Sequence, residues 1–435
     1  MTNALDQACE ALAARYRAAT PRSQALHEAA CAVLPAGNTR SNLYFAPYPP
    51  TIARGEGSRL FDADGNAYVD FLNDYSVALC GHSHPRLLTA AGDVLKDGMS
   101  YGGCITAEVT LGNALRRRFP LLERIRFANS GTEASLYAVL TALQFTGKST
   151  ILAFDGAYHG GMMNYGPGGD RLNVPLDRVM VPYNDIAAFD AAIAAHGDRL
   201  GAVVMDLMLN SAGCIPADPD FARHVRAVTA MRDIPLIIDE VMTARLGYGG
   251  LQQAYGVEGD LAAFGKIIGG GFSAGAFGGR ADMMAVYDTR GTGTSSHGGS
   301  FNNNVFSMKV GTVALTEVLT PEVMRTVNDR GDALRHRLNT LFQGHDVPLY
   351  MTGIGSVMNV HVGRTPLRRA PTHPASAKAR RLLHLHQLCQ GYWTAPRGMI
   401  ALSIVNTDAE IDSFVTGMAD FLALHAPILR DLEPA

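Results

Sequence analysis

Residues 124–154 read RIRFANSGTEASLYAVLTALQFTGKSTILAF, a stretch in which two short apolar runs flank a longer helical segment. The runs 124–128 and 150–154 contain the β-branched and aromatic residues that favour strands. The segment between them opens with Ser130, a residue type that commonly caps the first turn of a helix. We therefore predict a strand, a helix and a second strand, in this order.

The same alternation extends in both directions, from about residue 84 to residue 320. Three further runs have the composition of short strands: GAVVMDL at 201–207, IPLIIDE at 234–240 and AGAFGG at 274–279. Strands that alternate with helices predict an α/β domain built around a mostly parallel sheet. In such a sheet, ligands and reactive groups lie at the carboxyl ends of the strands.

The chain has 435 residues, which is too long for one hydrophobic core, because single cores stop growing near ~250–300 residues. We predict an N-terminal segment (1–75), a large domain (76–320) and a small α+β C-terminal domain (321–435). The N-terminal segment, with two helices and a hairpin around Asp64-Gly65, is predicted to pack beside the small domain. Long helices of the small domain are predicted at 322–343, 375–390 and 408–425.

The composition excludes several classes of protein. Hydrophobic residues make up 47% of the chain and charged residues 18%, which suits a folded core rather than a disordered chain. The 37 basic and 40 acidic residues leave a net charge of −3, so we predict no nucleic-acid partner. Apolar runs fall short of the ~18 residues that a membrane span needs, so we predict no membrane partner either.

Six cysteines are scattered along the chain without a Cys-x-x-Cys pair. This pattern favours reduced, structural thiols and therefore a cytoplasmic protein. The first thirty residues contain Asp6, Glu10 and Glu28 and lack an apolar core, so we predict no secretory signal.

Lys266 is one of only five lysines among the 37 basic residues, and only an amine that loses its proton can form a Schiff base. It lies in LAAFGKIIGGGF, with apolar neighbours before it and three glycines after it. This setting predicts burial, which lowers the pKa of a lysine and frees its amine. The glycine run also fits a dinucleotide-binding pattern, but we predict no strand directly before it and disfavour that interpretation.

Asp239 follows the buried run IPLII, at a predicted strand end. A carboxylate there can hold magnesium in a nucleotide triphosphatase, or keep a proton on a pyridine-type nitrogen. The nucleotide interpretation fails because the tetrapeptide GKST at 147–150 has Ala142 where a phosphate loop needs its first glycine.

Ser130, Gly131 and Thr132 stand at the predicted helix start, where unpaired N–H groups and the helix dipole favour a phosphate. The alternative is an ordinary helix cap. Histidines are also clustered, but they have no cysteine or carboxylate at ligand spacing, so we predict no metal site. The histidines concerned are His82, His84, His159, His384 and His386.

In chain order, these features resemble the class III aminotransferases, which are pyridoxal-phosphate (PLP) enzymes of fold-type I. The resemblance covers nearly the whole chain. It rests on FDADGNAYVDF (61–71), NSGTEA (129–134), AYHGG (157–161), DEVMT (239–243) and GKIIGGGFSAGAFGGR (265–280). The last motif is most similar to glutamate-1-semialdehyde aminomutases. By contrast, NTRSNLYFAPYPP (38–50) and APRG (395–398) are closer to β-phenylalanine aminotransferases.

The resemblance implies a role for each motif. Lys266 would form the Schiff base with PLP and then move the reaction proton, while Asp239 would keep the pyridine nitrogen protonated. Ser130, Gly131 and Thr132 would hold the phosphate, and Tyr158 and Val241 would pack on the two faces of the ring. Ser300 resembles a hydroxyl that reaches the phosphate from a neighbouring subunit, which implies a homodimer with shared active sites.

Two arginines resemble substrate ligands. Arg40 corresponds to the residue that binds the carboxylate of the β-amino acid, and Arg397 to the one that binds the keto acid. The sequence departs from the family pattern at Asp206-Leu207, where Glu-Pro is usual, and LGYGG at 246–250 lacks the charged residue of the aminomutases. We expect Asp206 to contact the cofactor and to alter the hydrogen bonding around it.

The resemblance implies an aminotransferase that moves an amino group from a β-amino acid, or a similar carboxylated amine, to 2-oxoglutarate or pyruvate. Two alternatives remain open from the sequence. One is an intramolecular aminomutase, and the other is a PLP-binding protein with altered chemistry.

Overall fold

A computed structural model describes residues 2–166, 169–370, 377–430 and 432. The strands are β1 (Ile52–Glu56), β2 (Arg59–Asp62), β3 (Ala67–Asp70), β4 (Arg124–Ala128), β5 (Thr150–Phe154), β6 (Asp177–Val181), β7 (Leu200–Asp206), β8 (Met208–Leu209), β9 (Ile215–Pro216), β10 (Leu236–Asp239), β11 (Leu261–Gly265), β12 (Gly275–Gly279), β13 (Leu349–Ile354), β14 (Val357–Val362), β15 (Tyr392–Trp393) and β16 (Met399–Ala401).

The helical segments are α1 (Thr2–Ala19), α2 (Pro21–Cys31), α3 (Asn73–Ser76), α4 (Pro85–Asp97), α5 (Thr106–Arg118), α6 (Gly131–Thr146), α7 (Ile186–His196), α8 (Pro219–Met231), α9 (Gly250–Tyr255), α10 (Ala281–Met284), α11 (Val305–Val313), α12 (Pro321–Gly344), α13 (Ala377–Cys389) and α14 (Asp408–Leu429). The first two residues of the helix predicted at 375–390 lie outside the described residues. Within the described residues, no helix has both the length and the apolar character of a membrane span.

A seven-stranded sheet forms the centre of the molecule, with the strand order β4-β12-β11-β10-β7-β5-β6. Strand β12 runs antiparallel to both of its neighbours, and the remaining pairs are parallel. The predicted α/β fold with a mostly parallel sheet is therefore confirmed. Every residue of β5, β7, β10, β11 and β12 is buried, as expected for strands covered on both faces.

Two strands of this sheet were not predicted from the sequence. Strand β6 is an edge strand with the sequence DRVMV, and its first two residues are exposed. Strand β11 has the sequence LAAFG, in which alanine and glycine have low strand propensity. The expectation that no strand precedes the 269–271 glycine run was therefore wrong. The dinucleotide interpretation still fails, because a short turn and the antiparallel strand β12 follow β11 where that motif needs a helix.

The two ends of the chain pack against each other. Strands β1, β2 and β3 form an antiparallel sheet that β15 extends, with Val69 opposite Tyr392 and Asp70 opposite Trp393. Helix α1 packs along α13. The predicted hairpin is thus part of a three-stranded meander, in which Gly65 turns the chain with φ 91°. The domain boundaries at 75 and 320 stay predictions.

Candidate active site

Three side chains converge at the carboxyl edge of the central sheet. Asp206 ends β7, Asp239 ends β10, and Lys266 directly follows β11. Asp206 and Asp239 are direct neighbours in the register of the parallel strands, and Asp239 is opposite Ala263 of β11. The sheet thus brings together three residues that the sequence separates widely, at the edge where parallel sheets carry their chemistry.

Lys266 occupies a strained position in the turn after β11. Its φ is +53°, in the left-handed region that costs a side chain such as lysine energy. Burial lowers the pKa of its amine to about 8, and the positive charge of Arg397 acts in the same direction. A larger fraction of this amine than of an ordinary lysine is therefore unprotonated near neutral pH, and that is the form that attacks a carbonyl carbon.

Three donors orient the buried carboxylate of Asp239. His159 Nδ1 lies 2.9 Å from Asp239 Oδ2, and Ser135 Oγ donates to the same oxygen at 3.1 Å. The backbone N–H of Val241 donates to the other oxygen at 2.9 Å. Both carboxylate oxygens are thereby fixed. The roles of Ser135 and His159 were not predicted from the sequence, in which the AYHGG motif is the only local signal for His159.

His159 lies between two carboxylates. Its Nδ1 is 3.9 Å from Asp206 Oδ1 as well as close to Asp239. Burial on its own would lower the pKa of His159, but the two carboxylates outweigh it and raise that pKa. Burial also raises the pKa of Asp206 to about 7, against the opposing charge of His159. His159, Asp206 and Asp239 carry the kinds of atoms that can bind a metal ion. However, His159 and Asp239 already form a hydrogen bond with each other.

The amino terminus of α6 forms a cradle beside these groups. Ser130 caps the helix, with its Oγ accepting from the Glu133 N–H at 3.1 Å. A Cβ on Gly131 would lie 2.5 Å from Val241 Cγ1, so only glycine allows this approach. Thr132 Oγ1 accepts from the Gly161 N–H at 3.3 Å, which joins the helix start to the turn that follows Tyr158.

Two predicted site residues lie at the surface of the single chain. The Tyr158 side chain is in the turn over α6, and 42% of the residue is exposed. Its backbone N–H donates to Asp206 Oδ2 at 3.3 Å, which ties the turn to β7. Ser300 is exposed in the loop before α11.

The short segment α3 is a left-handed turn. Its residues Asn73, Asp74, Tyr75 and Ser76 have φ values of 52°, 48°, 53° and 76°. A left-handed helical conformation costs roughly 1–2 kcal/mol per residue other than glycine. Neighbouring groups offset this cost: Asn73 Nδ2 donates to Ala401 O at 2.7 Å.

Arg245 holds the other end of this turn. Its Nη1 donates to Ser76 O at 3.1 Å, its Nε donates to Ser356 Oγ at 3.2 Å, and its Nη2 donates to Leu402 O. The side chain is completely buried, and among the described residues no carboxylate forms an ion pair with it. Burial lowers the pKa of Arg245 to about 9. LGYGG itself has no charged residue, but the residue directly before it, Arg245, is a buried arginine.

The two arginines predicted from the sequence lie near one aromatic ring. The guanidinium carbon of Arg40 is 6.0 Å from the ring centre of Tyr75, and that of Arg397 is 5.6 Å away. Arg40 Nη2 also pairs with Asp74 Oδ1 at 2.9 Å. Arg397 Nη1 donates to Ser211 O at 3.2 Å. Tyr75 and Asp74 were not predicted as site residues.

A cavity of about 390 Å³ extends from Arg40 between the N-terminal segment and the C-terminal part of the chain. Asp74 and Tyr75 line it together with Arg40. Its wall is otherwise mostly apolar, with side chains that include Leu26, Phe45, Ile52, Leu72 and Trp393. This cavity thus combines the charged groups of Arg40 and Asp74 with an apolar space, a combination that is common in small-molecule sites.

The chain is similar to known proteins of one family. The profile of "Aminotransferase class-III" matches residues 45–165 and 169–420. The chain belongs to the class III aminotransferases. It is 42% identical over 427 residues to the beta-phenylalanine transaminase of Variovorax paradoxus, with 98% of each chain covered. It is 32% identical over 425 residues to the glutamate-1-semialdehyde 2,1-aminomutase of Sorangium cellulosum, covering 93% of this chain and 96% of that protein.

The structure agrees with this membership. A crystal structure of a beta-phenylalanine aminotransferase from Variovorax paradoxus has a TM-score of 0.95 and 41% identity to this class III aminotransferase, and 98% and 99% of the two chains are covered. The fold is that of the fold-type I PLP enzymes. The protein uses PLP and moves an amino group from a donor to a keto acid.

The residues of this aminotransferase fit PLP. The start of α6 offers unpaired N–H groups to a phosphate, in a cradle that a Cβ on Gly131 would fill. The oriented carboxylate of Asp239 suits a protonated ring nitrogen, and the amine of Lys266 is partly unprotonated near neutral pH. When bound, PLP takes up the electron pair that is left when a proton leaves the carbon beside the amino group.

Proposed function

We propose that this aminotransferase takes its amino group from a β-amino acid and passes it to 2-oxoglutarate or pyruvate. The placement of Arg40 and Arg397 at 6.0 and 5.6 Å from the same Tyr75 ring carries this proposal. The two substrates hold their carboxylates at different distances from the reacting carbon. Two separately placed guanidiniums, each able to pair bidentately with a carboxylate, accommodate both without moving the cofactor.

Lys266, Asp239 and Tyr158 are the proposed catalytic group. Lys266 would hold PLP through its buried amine and would carry the proton that leaves the donor carbon. Asp239, oriented by His159 at 2.9 Å, keeps the ring nitrogen protonated. Tyr158 covers one face of the ring, and its exposure leaves the side chain free to do so.

The remaining proposed cofactor contacts come from three places in the chain. Ser130, Gly131 and Thr132 bind the phosphate at the start of α6, and Val241 packs on the second face of the ring. Asp206 lies beside Asp239 and, with one methylene less than glutamate, would contact the cofactor through a shorter side chain. Its raised pKa, about 7, supports a hydrogen-bonding role rather than a purely ionic one.

We also propose a homodimer in which Ser300 completes the phosphate site of the partner. Helix α11, which follows Ser300, packs against α4 and α5, and Asn303 Nδ2 donates to Gly103 O at 3.1 Å. Several large apolar side chains in and near these segments are exposed, and exposed apolar surface is typical of subunit interfaces. The exposed side chains are Leu88, Leu95, Met99, Tyr101, Val109, Phe272 and Phe301.

The function is tested by incubating the holoenzyme with β-phenylalanine and 2-oxoglutarate and measuring glutamate by chromatography. We expect glutamate from this donor, and none from the Lys266→Ala variant. Lys96→Ala is the matched control, because that side chain is 77% exposed and paired with Asp93, and it should react as the unaltered enzyme does. Glutamate formed from α-amino donors alone would refute the β-amino acid assignment.

A second candidate is an intramolecular aminomutase, which the 32% identity to the Sorangium cellulosum aminomutase supports. An aminomutase isomerises its substrate without any acceptor. Incubation with glutamate 1-semialdehyde in the absence of a 2-oxo acid separates the two functions, since sustained turnover there belongs to the aminomutase alone.

A further inference from the structure

Arg40, the proposed ligand for the donor's carboxylate, already carries a carboxylate of its own chain. Arg40 Nη2 and Asp74 Oδ1 are 2.9 Å apart, a distance typical of a charge-assisted hydrogen bond. The two side chains are 49% and 47% exposed, so an incoming ligand can reach both. A donor's carboxylate therefore meets a guanidinium that is partly occupied.

Asp74 cannot move away with its backbone, because the left-handed turn α3 is tied down on both sides. Asn73 is completely buried, and its Nδ2 donates to Ala401 O at 2.7 Å. Ser76 is also completely buried, and its carbonyl accepts from Arg245 Nη1 at 3.1 Å. The carboxylate of Asp74 and the guanidinium of Arg40 therefore separate by rotation of a side chain and not by movement of the α3 backbone.

The pair lies near the other charged groups of the candidate site. Tyr75, the next residue of the turn, lies near both Arg40 and Arg397. The charge of Asp74 also reaches the amine of Lys266, whose pKa it raises slightly against the larger effects of burial and Arg397. Asp74 is thus the acidic group on the donor side, among three basic groups.

We propose that Asp74 is an internal carboxylate that occupies Arg40 until the donor's carboxylate displaces it, and that it thereby sets the specificity of the donor site. This inference rests on the proposed function. A carboxylated donor exchanges one carboxylate for another on the guanidinium. An amine without a carboxylate cannot make this exchange, so the ion pair between Arg40 and Asp74 stays intact.

The test measures equilibrium binding of 3-phenylpropanoate, which has the carbon skeleton and carboxylate of the donor but no amino group. Asp74→Asn keeps the shape of the side chain and removes its charge. We expect the dissociation constant from the holoenzyme, measured by calorimetry, to fall about twofold to fivefold, the range expected for an exposed ion pair. Binding of the uncharged 3-phenylpropanamide should stay unchanged.

Two controls separate the effect from folding and from net charge. Asp412→Asn removes the charge of another exposed aspartate that pairs with an arginine, Arg337, at 2.7 Å between α12 and α14, and should leave binding unchanged. In an Arg40→Ala background, Asp74→Asn should have no effect on 3-phenylpropanoate. Melting temperatures of the variants verify that each one is folded.

The outcomes separate this inference from the proposed function. If Arg40→Ala does not weaken binding of 3-phenylpropanoate, Arg40 is not the donor's carboxylate ligand, and both proposals are wrong. If Arg40→Ala weakens binding but Asp74→Asn leaves it unchanged or weakens it, Asp74 does not compete for Arg40, and only this inference is overturned. The same holds if Asp74→Asn tightens binding equally without Arg40.

Discussion

Arg40 and Arg397 lie in different surroundings although they share the Tyr75 ring. Arg40 is about half exposed and paired with Asp74, whereas Arg397 is partly buried, with its Nη1 on the carbonyl of Ser211. Within the described residues, the buried Nε of Arg397 has no hydrogen-bond partner. A buried donor without a partner favours a ligand that can accept from it, so Arg397 is suited to a second carboxylate.

We predict that the two arginines act in different half-reactions. A charge-assisted hydrogen bond contributes about 1.5–3 kcal/mol, so its loss should lower kcat/KM by roughly ten- to a hundredfold. Arg40→Ala should slow the half-reaction with the amino donor, and Arg397→Ala the one with the keto acid. Stopped-flow measurement of each half separates them. Equal losses in both halves for both variants would show that the work is not divided.

Some of these residues could be predicted from the sequence, and others could not. Lys266 and Asp239 stand in segments whose own composition signals burial beside a reactive group. The importance of Arg245 arises only in the folded chain, where it meets Ser356 and Leu402 from distant segments. In the sequence, Asp74 looks like an ordinary surface aspartate. Its position depends on four successive residues with positive φ, a conformation that residues other than glycine usually avoid and that the sequence therefore does not predict.

Among the elements, α6 carries the proposed phosphate site at its amino terminus. Its start was predictable, because Ser130 and Gly131 follow a strand and precede a regular helix. Strand β11 was not predictable, because its Ala-Ala-Phe-Gly sequence forms a strand only by packing between β10 and β12. Tertiary contacts override a low strand propensity in this case.

We predict that Gly131→Ala weakens PLP binding by about tenfold. The added Cβ would stand 2.5 Å from Val241 Cγ1 and push that side chain into the space of the ring, and overpacking of this kind costs ~1–3 kcal/mol. Titration of the apoenzyme with PLP gives the dissociation constant. Gly112→Ala in α5 is the control, because its Cβ would lie at an ordinary 3.5 Å from Ile125 Cγ2. Unchanged affinity of the Gly131→Ala variant for PLP would show that PLP does not bind against Gly131 at the start of α6.

At the scale of the whole molecule, two buried histidines of α13 pack against neighbouring elements, one of them at the N-terminal end of the chain. His384 of α13 packs edge-on against Phe45 of the N-terminal segment, with ring centres 4.5 Å apart. His386, two residues further on, packs against Phe421 of α14. Burial lowers the pKa of His384 to about 3 and that of His386 to about 4. Both rings are therefore neutral in the folded protein at neutral pH.

We predict that the protein loses stability as the pH falls from about 6.5 towards 4. In this window the unfolded chain binds protons at both histidines and the folded chain does not. For each histidine, the free energy of unfolding therefore falls by up to ~1.4 kcal/mol for every pH unit. Above pH 6.5 both states leave these histidines neutral, so this destabilising effect is absent and the stability is at its full value. Denaturant unfolding at several pH values measures the slope, and His384→Leu should reduce it. His336→Leu, at an exposed position, is the matched control; an equal slope in wild type and His384→Leu would contradict the prediction.

The most direct test of the whole account is a single-turnover experiment on the holoenzyme with a β-amino acid and no acceptor. A transaminase should consume one equivalent of donor per active site, convert its cofactor to the amino form and stop. Addition of 2-oxoglutarate should then restore the original absorbance and release one equivalent of glutamate. Continued conversion of substrate without an acceptor, or no spectral change with any β-amino acid, would contradict the account.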